Sequence, residues 1–399
     1  MNRYSQARLF AGSLGLLWML LTSSPVTGQG LTVTGVGPVN RSMGGAGTAA
    51  PLDAIGSLHW NPASISAWTC GEVSFAFESL ISDIDLETSI GGNSAKTSGE
   101  PGFAVIPTVG WIQPIADTPL TIGLGMYGIA GFRNSLPKDP NNPLLANRPA
   151  YADAELLQLA PTVSWQVNEQ LSIGFAPTLT AGRIMLDPLG PSVITPTPTD
   201  GTGNRVHWGG GFQVGLFYEP TESWHLGLSF KSQQWFEDFR FFTPNGVVKF
   251  DLDYPMIISF GAAYTGVENW VFALDTRFFN YDSTPGFNQL GFSNVFTAAF
   301  GAQYTWQEVW KFRAGYNFNQ DPLHSSDAAT NLISPLIQNQ NLACGISRRF
   351  GEQVEISLAY IYLVENDLTG PLPAPFAPGD TVTHEISAHS VSFGVRVLY

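Results

Sequence analysis

Long apolar runs, charge, cysteine and catalytic motifs are all scarce in this chain of 399 residues, and each scarcity excludes a class of answer. Residues 9–21 form the one sustained apolar run, short of the roughly 20 residues a membrane helix requires. Arg3 and Arg8 precede it, and Val26 and Gly28 supply small residues after it, the plan of a secretory signal covering residues 1–28. Beyond that point nothing approaches a helical span, so any membrane crossing falls to strands. Charged residues make up 13% of the chain, with 32 acids against 18 bases. Cleavage removes Arg3 and Arg8 and no acid, taking the formal charge from −14 to −16, which argues against a nucleic-acid partner.

Two cysteines, Cys70 and Cys344, fall in separate strands of the pattern below and read as free thiols. Neither follows the signal, where a lipid anchor would need it. The six histidines come with no G-x-S-x-G, H-E-x-x-H or phosphate loop, and His389 and Ser390 point to opposite faces of one strand. An outer-membrane hydrolase is therefore the weak alternative, and no cofactor is expected. Asp83, Asp85 and Glu87 alternate, but without the glycine turn and twelfth-position acid of a calcium loop they predict no metal site.

What the chain does have is alternation. Trp270, Phe272, Leu274, Thr276 and Phe278 share one face of a strand, and Ala273, Asp275 and Arg277 share the other. The final strand sets Val391, Phe393, Val395, Val397 and Tyr399 against Ser390, Ser392, Gly394 and Arg396. Short connections near residues 115–118, 167–170, 220–222, 266–269, 306–308 and 350–353 take turns with long ones near 132–152, 187–205, 320–338 and 365–385. A sandwich alternates too, but its two ends need not differ in this way. The pattern predicts an all-β fold, a 14-stranded antiparallel transmembrane β-barrel over residues 70–399, with lipid outside and a polar lumen inside. Strands begin near Glu72, Ala104, Leu120, Glu155, Leu171, Val206, Trp224, Tyr254, Trp270, Asn294, Val309, Asn341, Val354 and Ser387. Trp165, Tyr218, Trp224, Tyr264, Trp270, Tyr304, Trp306 and Trp310 recur beside the short turns as an aromatic girdle at the periplasmic end.

Residues 29–69 lack sustained alternation and are rich in Gly35, Gly37, Gly44, Gly45 and Gly47. Such a segment cannot form its own core, and the barrel lumen is its natural support. The run Gly37-Pro38-Val39-Asn40-Arg41-Ser42-Met43-Gly44-Gly45-Ala46-Gly47, then Asp53-Ala54 and Trp60-Asn61-Pro62-Ala63, resembles the hatch of the FadL-type family of outer-membrane transporters for long-chain fatty acids and other hydrophobic compounds. Leu226-Gly227-Leu228-Ser229-Phe230-Lys231-Ser232, Ala273-Leu274-Asp275 and Phe312-Arg313-Ala314-Gly315-Tyr316-Asn317 resemble strand segments of the same family in the same order.

The resemblance implies a hatch over residues 29–69, marked by Gly44, Gly45, Asn61, Pro62 and Ala63, that plugs the barrel from the periplasmic side. It also implies capture of a hydrophobic small molecule at the outer loops, transfer to an apolar pocket between hatch and wall, and sideways release into outer-membrane lipid. Long-chain fatty acids lead as substrate; aromatic hydrocarbons by the same route, or a non-specific diffusion porin, are the alternatives. A monomer is expected, inserted by the barrel assembly machinery, with Tyr399 as the terminal aromatic of its signal.

Three sets of residues are candidates for the working parts. Gly123 and Gly125 leave space on the lumen face of the third strand, and Pro107, Pro161 and Pro177 each lack a ladder donor nearby, which predicts a lateral opening or, alternatively, plain barrel curvature. Arg133 and Arg148, with Leu136, Leu144, Leu145 and Tyr151, mix cation and apolar surface near one long connection, a composition suited to a carboxylate with an apolar tail. His225, Lys231, Asp275, Arg277, Lys311, Arg313, Glu355 and Arg396 face the lumen, where they are expected to hold the hatch and one another.

Overall fold

The computed structural model describes residues 32–188 and 205–399; the signal segment, 1–28, lies outside them. Fourteen strands form the wall: β1 (Glu72–Ile90), β2 (Phe103–Pro114), β3 (Leu120–Leu136), β4 (Ala150–Gln166), β5 (Leu171–Asp187), β6 (His207–Thr221), β7 (Trp224–Lys231), β8 (Ile257–Tyr264), β9 (Trp270–Phe279), β10 (Val295–Trp306), β11 (Trp310–Asn319), β12 (Gln340–Phe350), β13 (Val354–Pro371) and β14 (Thr381–Leu398). Each pairs antiparallel with its sequence neighbours, and β14 returns to β1 from Glu72↔Leu398 to Ser89↔Thr381. Closure leaves no free sheet edge, the condition for a sheet to cross a membrane. Tyr399 completes the seam: Gly71 and Tyr399 exchange both backbone hydrogen bonds, and Trp111 Nε1 donates to Tyr399 Oη at 2.7 Å.

The side-chain period sorts the wall into two faces. On β9 Ala273, Asp275, Arg277 and Phe279 are buried, while Leu274 and Thr276 are exposed. Trp165, Trp224, Trp270 and Trp306 are exposed beside the short turns, and Trp224 meets Tyr264 as Trp270 meets Tyr304, with ring centroids 4.7 and 4.9 Å apart. Large apolar side chains on the outside of a folded chain need an apolar neighbour, and a lipid bilayer supplies one. Cys70 and Cys344 are both free and exposed.

The lumen is occupied by the N-terminal segment. Helix α1 (Gly37–Ser42) starts where Gly37 takes a positive φ and Pro38 fixes the first turn; α2 (Ala54–Trp60) starts at Asp53, whose side chain accepts from Gly56 N. Every residue of both helices is buried. Two helices of six and seven residues are too short to hold themselves together in water; the barrel does it for them. Asn40 ties the segment internally, its Oδ1 accepting from Val36 N and Trp60 Nε1, both at 3.1 Å, while its Nδ2 donates to Ala46 O.

Candidate functional site

The hatch seats on glycines of the wall. A Cβ on Gly315 would lie 2.0 Å from Gly44 N, and one on Gly174 would lie 2.3 Å from Ala63 N. Gly44 and Gly45 have φ of 67° and 84°, and a Cβ on Gly45 would come within 1.8 Å of Thr34 O, so both the turn and the contact require glycine. Asn61 Nδ2 donates to Thr48 O and to Leu216 O of β6, while its Oδ1 accepts from Ala63 N; Pro62 lies against Gly174 and Gly215. Charged lumen residues clamp the same surface. Asp275 accepts from Gly47 N and Thr48 N at 2.9 Å, Arg277 donates to Gly45 O at 2.6 Å, and the Arg277 guanidinium lies 3.5 Å over the Trp60 ring. Arg396 donates to Leu52 O, and Glu72 accepts from Ala54 N. Asp53 is buried among them; burial and the nearby Glu72 carboxylate push its own carboxyl up to about 7.

One part of the wall is not sealed. Strand β2 pairs with β1 along Phe103 to Ile112, but with β3 only from Thr108↔Tyr127 to Pro114↔Thr121. Among the described residues, 103–107 therefore have no backbone ladder partner on β3; across the gap Arg133 Nη1 reaches Phe103 O at 3.5 Å. Pro107 has no N–H to offer, and β3 bulges between Gly128 and Ala130, which bends the strand away at the same height. From inside, the hatch leans into the break: Thr32 bridges Ala130, and Val33 N donates to Ile129 O at 3.2 Å. A cavity of about 520 Å³ lies there, lined on its apolar side by Val33, Ala104, Ile106, Ala130, Phe132 and Leu156. The break starts seven residues above the periplasmic end of β2. At roughly 3.3 Å per residue and a tilt near 40° that is about 18 Å up the wall, in the outer half of the hydrocarbon layer.

The bulge also reverses which face each β3 residue presents, and this decides where the sequence candidates sit. Before it, Gly123 and Gly125 face the lumen in the paired part of the wall. A Cβ on Gly123 would meet Leu58 and Ile65 of the hatch at 2.7 and 3.4 Å, and one on Gly125 would meet Tyr127 at 2.4 Å. They give room to the hatch and to a tyrosine, below the break. After the bulge Arg133 stands with Glu155 and Arg183 on the outward side, where with Asp153 they form the polar wall of the cavity, rather than in an outer loop. Its guanidinium is bound by Asp153 at 2.8 Å and Glu155 at 3.4 Å, and Arg183 binds Glu155 at 3.0 Å. Arg148 is paired with Asp187. Neither arginine is a free cation, because an acid on the neighbouring strand or connection already neutralises each. Leu136, Leu144 and Leu145 are buried in the main apolar cluster with Ile84 and Leu86, and Tyr151 donates to Asp153 at 2.8 Å.

The sequence reading missed Ile106, Ala130, Asp153, Glu155 and Arg183 as parts of one feature. Pro107 was its legible signal; a bulge that exchanges inward and outward positions has none in the alternation alone. Apolar side chains exposed toward the outer end include Trp208, Trp235, Phe242, Val247 and Val248, around a two-stranded hairpin, Phe239–Thr243 with Gly246–Phe250.

A barrel filled along its axis by its own N-terminal segment is built as a plugged membrane barrel rather than as an open pore. The sequence places the chain within that class: residues 19–239 match the family described as outer membrane protein transport protein (OMPP1/FadL/TodX), and the chain belongs to it. The protein is thus an outer-membrane β-barrel of a transport family. Among solved structures it is similar to the Pseudomonas putida toluene transporter TodX (17% identity, 92% of this chain and 99% of that one covered, TM-score 0.72). It is similar also to a Pseudomonas aeruginosa FadL homologue (16%, 93% and 99%, 0.72) and to the Ralstonia pickettii toluene transporter TbuX (15%, 91% and 99%, 0.63). No curated protein sequence matches it.

Proposed function

We propose that the protein admits uncharged hydrophobic small molecules through the side of its wall, at the break between β2 and β3, while the hatch keeps the axis closed. The observation that carries this reading is the unpaired stretch of β2 beside an apolar cavity that reaches both lumen and outer face. An apolar molecule gains about 25 cal/mol for each Å² it removes from water, so an apolar route into the membrane favours it where an aqueous pore would not. Trp208, Trp235 and Phe242 at the outer end supply apolar surface for capture, and outer-membrane lipid receives what leaves. The arginines at the opening are matched by Asp153, Glu155 and Asp187, so a carboxylate arriving there would compete with acids already in place. This moves the preferred substrate from long-chain fatty acids toward uncharged compounds; toluene, which TodX and TbuX transport, is of that kind.

One observation favours the fatty-acid reading. Lys231 is 2% exposed, its Nζ lies 3.5 Å from Gln158 Oε1, and among the described residues it has no carboxylate partner. An acid head carried as deep as β7 would find a cation. Uptake of radiolabelled toluene and radiolabelled oleate by cells depleted of other members of the family separates the readings. Toluene uptake well above that of vector-only cells, with oleate at background, is the expected result; the reverse, lost in Lys231→Met, would establish the acid.

A further inference from the structure

Across the lumen, β10, β11 and β12 carry a group of polar side chains that the hatch does not use. Register sets Thr297 opposite Asn319 and Asn317 opposite Asn341. None of the four is more than 4% exposed. Thr297 Oγ1, both polar atoms of Asn317, both of Asn319 and Asn341 Oδ1 are buried without a hydrogen-bond partner among the described residues. Asn40, Asn61 and Asn142, buried elsewhere in the chain, are each hydrogen-bonded. Native proteins pair such groups with protein, water or ligand, and a cluster left open marks a place where something else belongs.

Asn319 and Asn341 line a second cavity, of about 80 Å³, whose other walls include Ile333, Leu336 and Leu363. It adjoins the cavity at the wall break, sharing Val33, Phe132 and Arg133 with it. Both cations that line it are matched by acids, Arg41 by Glu78 and Arg133 by Asp153. A carboxylate would meet the Glu78 charge and find no spare cation. A hydrocarbon would leave every amide unmatched. A hydroxyl both donates and accepts, which is what a cluster of side-chain amides and a threonine can answer.

We propose that this cluster is a polar subsite for the hydroxyl or carbonyl end of an uncharged hydrophobic molecule, such as an alcohol, phenol or ketone, whose apolar part lies toward the side opening. The inference rests on the transport reading above and narrows its substrate class.

The test incubates the purified full-length protein with equimolar decane, 1-decanol and decanoate and reads the bound fractions by native mass spectrometry. The decanol-to-decane ratio should be about tenfold higher for the wild type than for Asn319→Leu/Asn341→Leu, the scale of one or two net hydrogen bonds. Thr297→Val, nearly isosteric, should lower the ratio about two- to threefold and serves if the double variant does not fold. An unchanged ratio in a folded variant means the amides hold only water and overturns the subsite. Decanoate outcompeting decanol on the wild type overturns the uncharged class. Retention of decane with no preference for decanol leaves the transport reading standing without the subsite, whereas retention of none of the three overturns both.

Discussion

Among the described residues the ladder is interrupted at prolines in two places, and a cavity of about 520 Å³ lies at the first. The first lies between β2 and β3 at Pro107. The second lies between β4 and β5, where pairing runs to Leu159↔Leu179, stops, and resumes at Val163↔Phe175; on that register Pro161 stands opposite Pro177. Both follow from prolines that cannot donate. Behind the second break Gln234 fills the lumen side, its Oε1 accepting from Thr178 Oγ1 at 2.6 Å and from Gln158 Nε2 at 3.1 Å. Behind the first stands the chain of the hatch itself, at Thr32 and Val33, and about 520 Å³ of largely apolar space. A missing ladder is therefore not an opening. An opening also needs the interior behind it to stay empty, apolar and backed by something that can move.

The largest effect expected concerns the hatch, which stands behind the first break. Deleting residues 29–69, with the signal kept, removes the segment that fills the axis and bridges Ala130. Single-channel conductance in planar bilayers should rise by about an order of magnitude, toward that of an open barrel lumen. A deletion protein that assembles and conducts like the full chain would mean that the outer connections, not the hatch, close the axis.

Next in size, bulk at the first break should stop transport. Ala104→Phe puts a ring into the cavity, which has room for it, so the cost of overpacking stays within about 1–3 kcal/mol while uptake falls about fivefold or more. Heat-modified gel mobility establishes folding, and labelled-substrate uptake reads the effect. Equal uptake in a folded variant would move the route elsewhere.

The smallest effect sharpens the contrast from the other side. Gln234→Ala empties the space behind Pro161 and Pro177 and leaves Thr178 and Gln158 without their shared partner. Stability should drop by about 1–3 kcal/mol, measured by urea unfolding in lipid, with no gain in uptake. Faster uptake would show that any broken ladder can serve.

The barrel was legible because its signals are periodic and repeated: Trp270 to Phe278 and Val391 to Tyr399 each state the two faces, and closure follows from an even strand count. The prolines were legible as gaps in donation, but not which gap would be open, since that depends on Gln234 filling one and residues 32–33 backing the other. Arg133 shows the limit most clearly. Its spacing from Leu136 and Leu144 suggested a capture surface, yet one extra residue at the Gly128–Ala130 bulge turns Arg133 outward beside Asp153 and turns Leu136 in. The amides at Asn317, Asn319 and Asn341 were lumen-facing by period. That no partner among the described residues reaches Asn317, Asn319 or Asn341 Oδ1 depends on the path of the hatch and the outer connections, which strand alternation does not encode.

The central claim, that substrate passes sideways between β2 and β3, is tested most directly by locking that break. A Cβ on Gly128 would lie 2.7 Å from Ile106 Cγ2, so Ile106→Cys/Gly128→Cys, in a background with Cys70→Ser and Cys344→Ser, places two thiols across it. Pro161→Cys/Pro177→Cys staples the second break as the control. With each disulfide confirmed by mass spectrometry, the account predicts that oxidation of the first pair cuts uptake about tenfold or more and that reduction restores it, while oxidation of the second pair changes nothing. Uptake that continues at the same rate with the Ile106→Cys/Gly128→Cys bridge fully formed would contradict it.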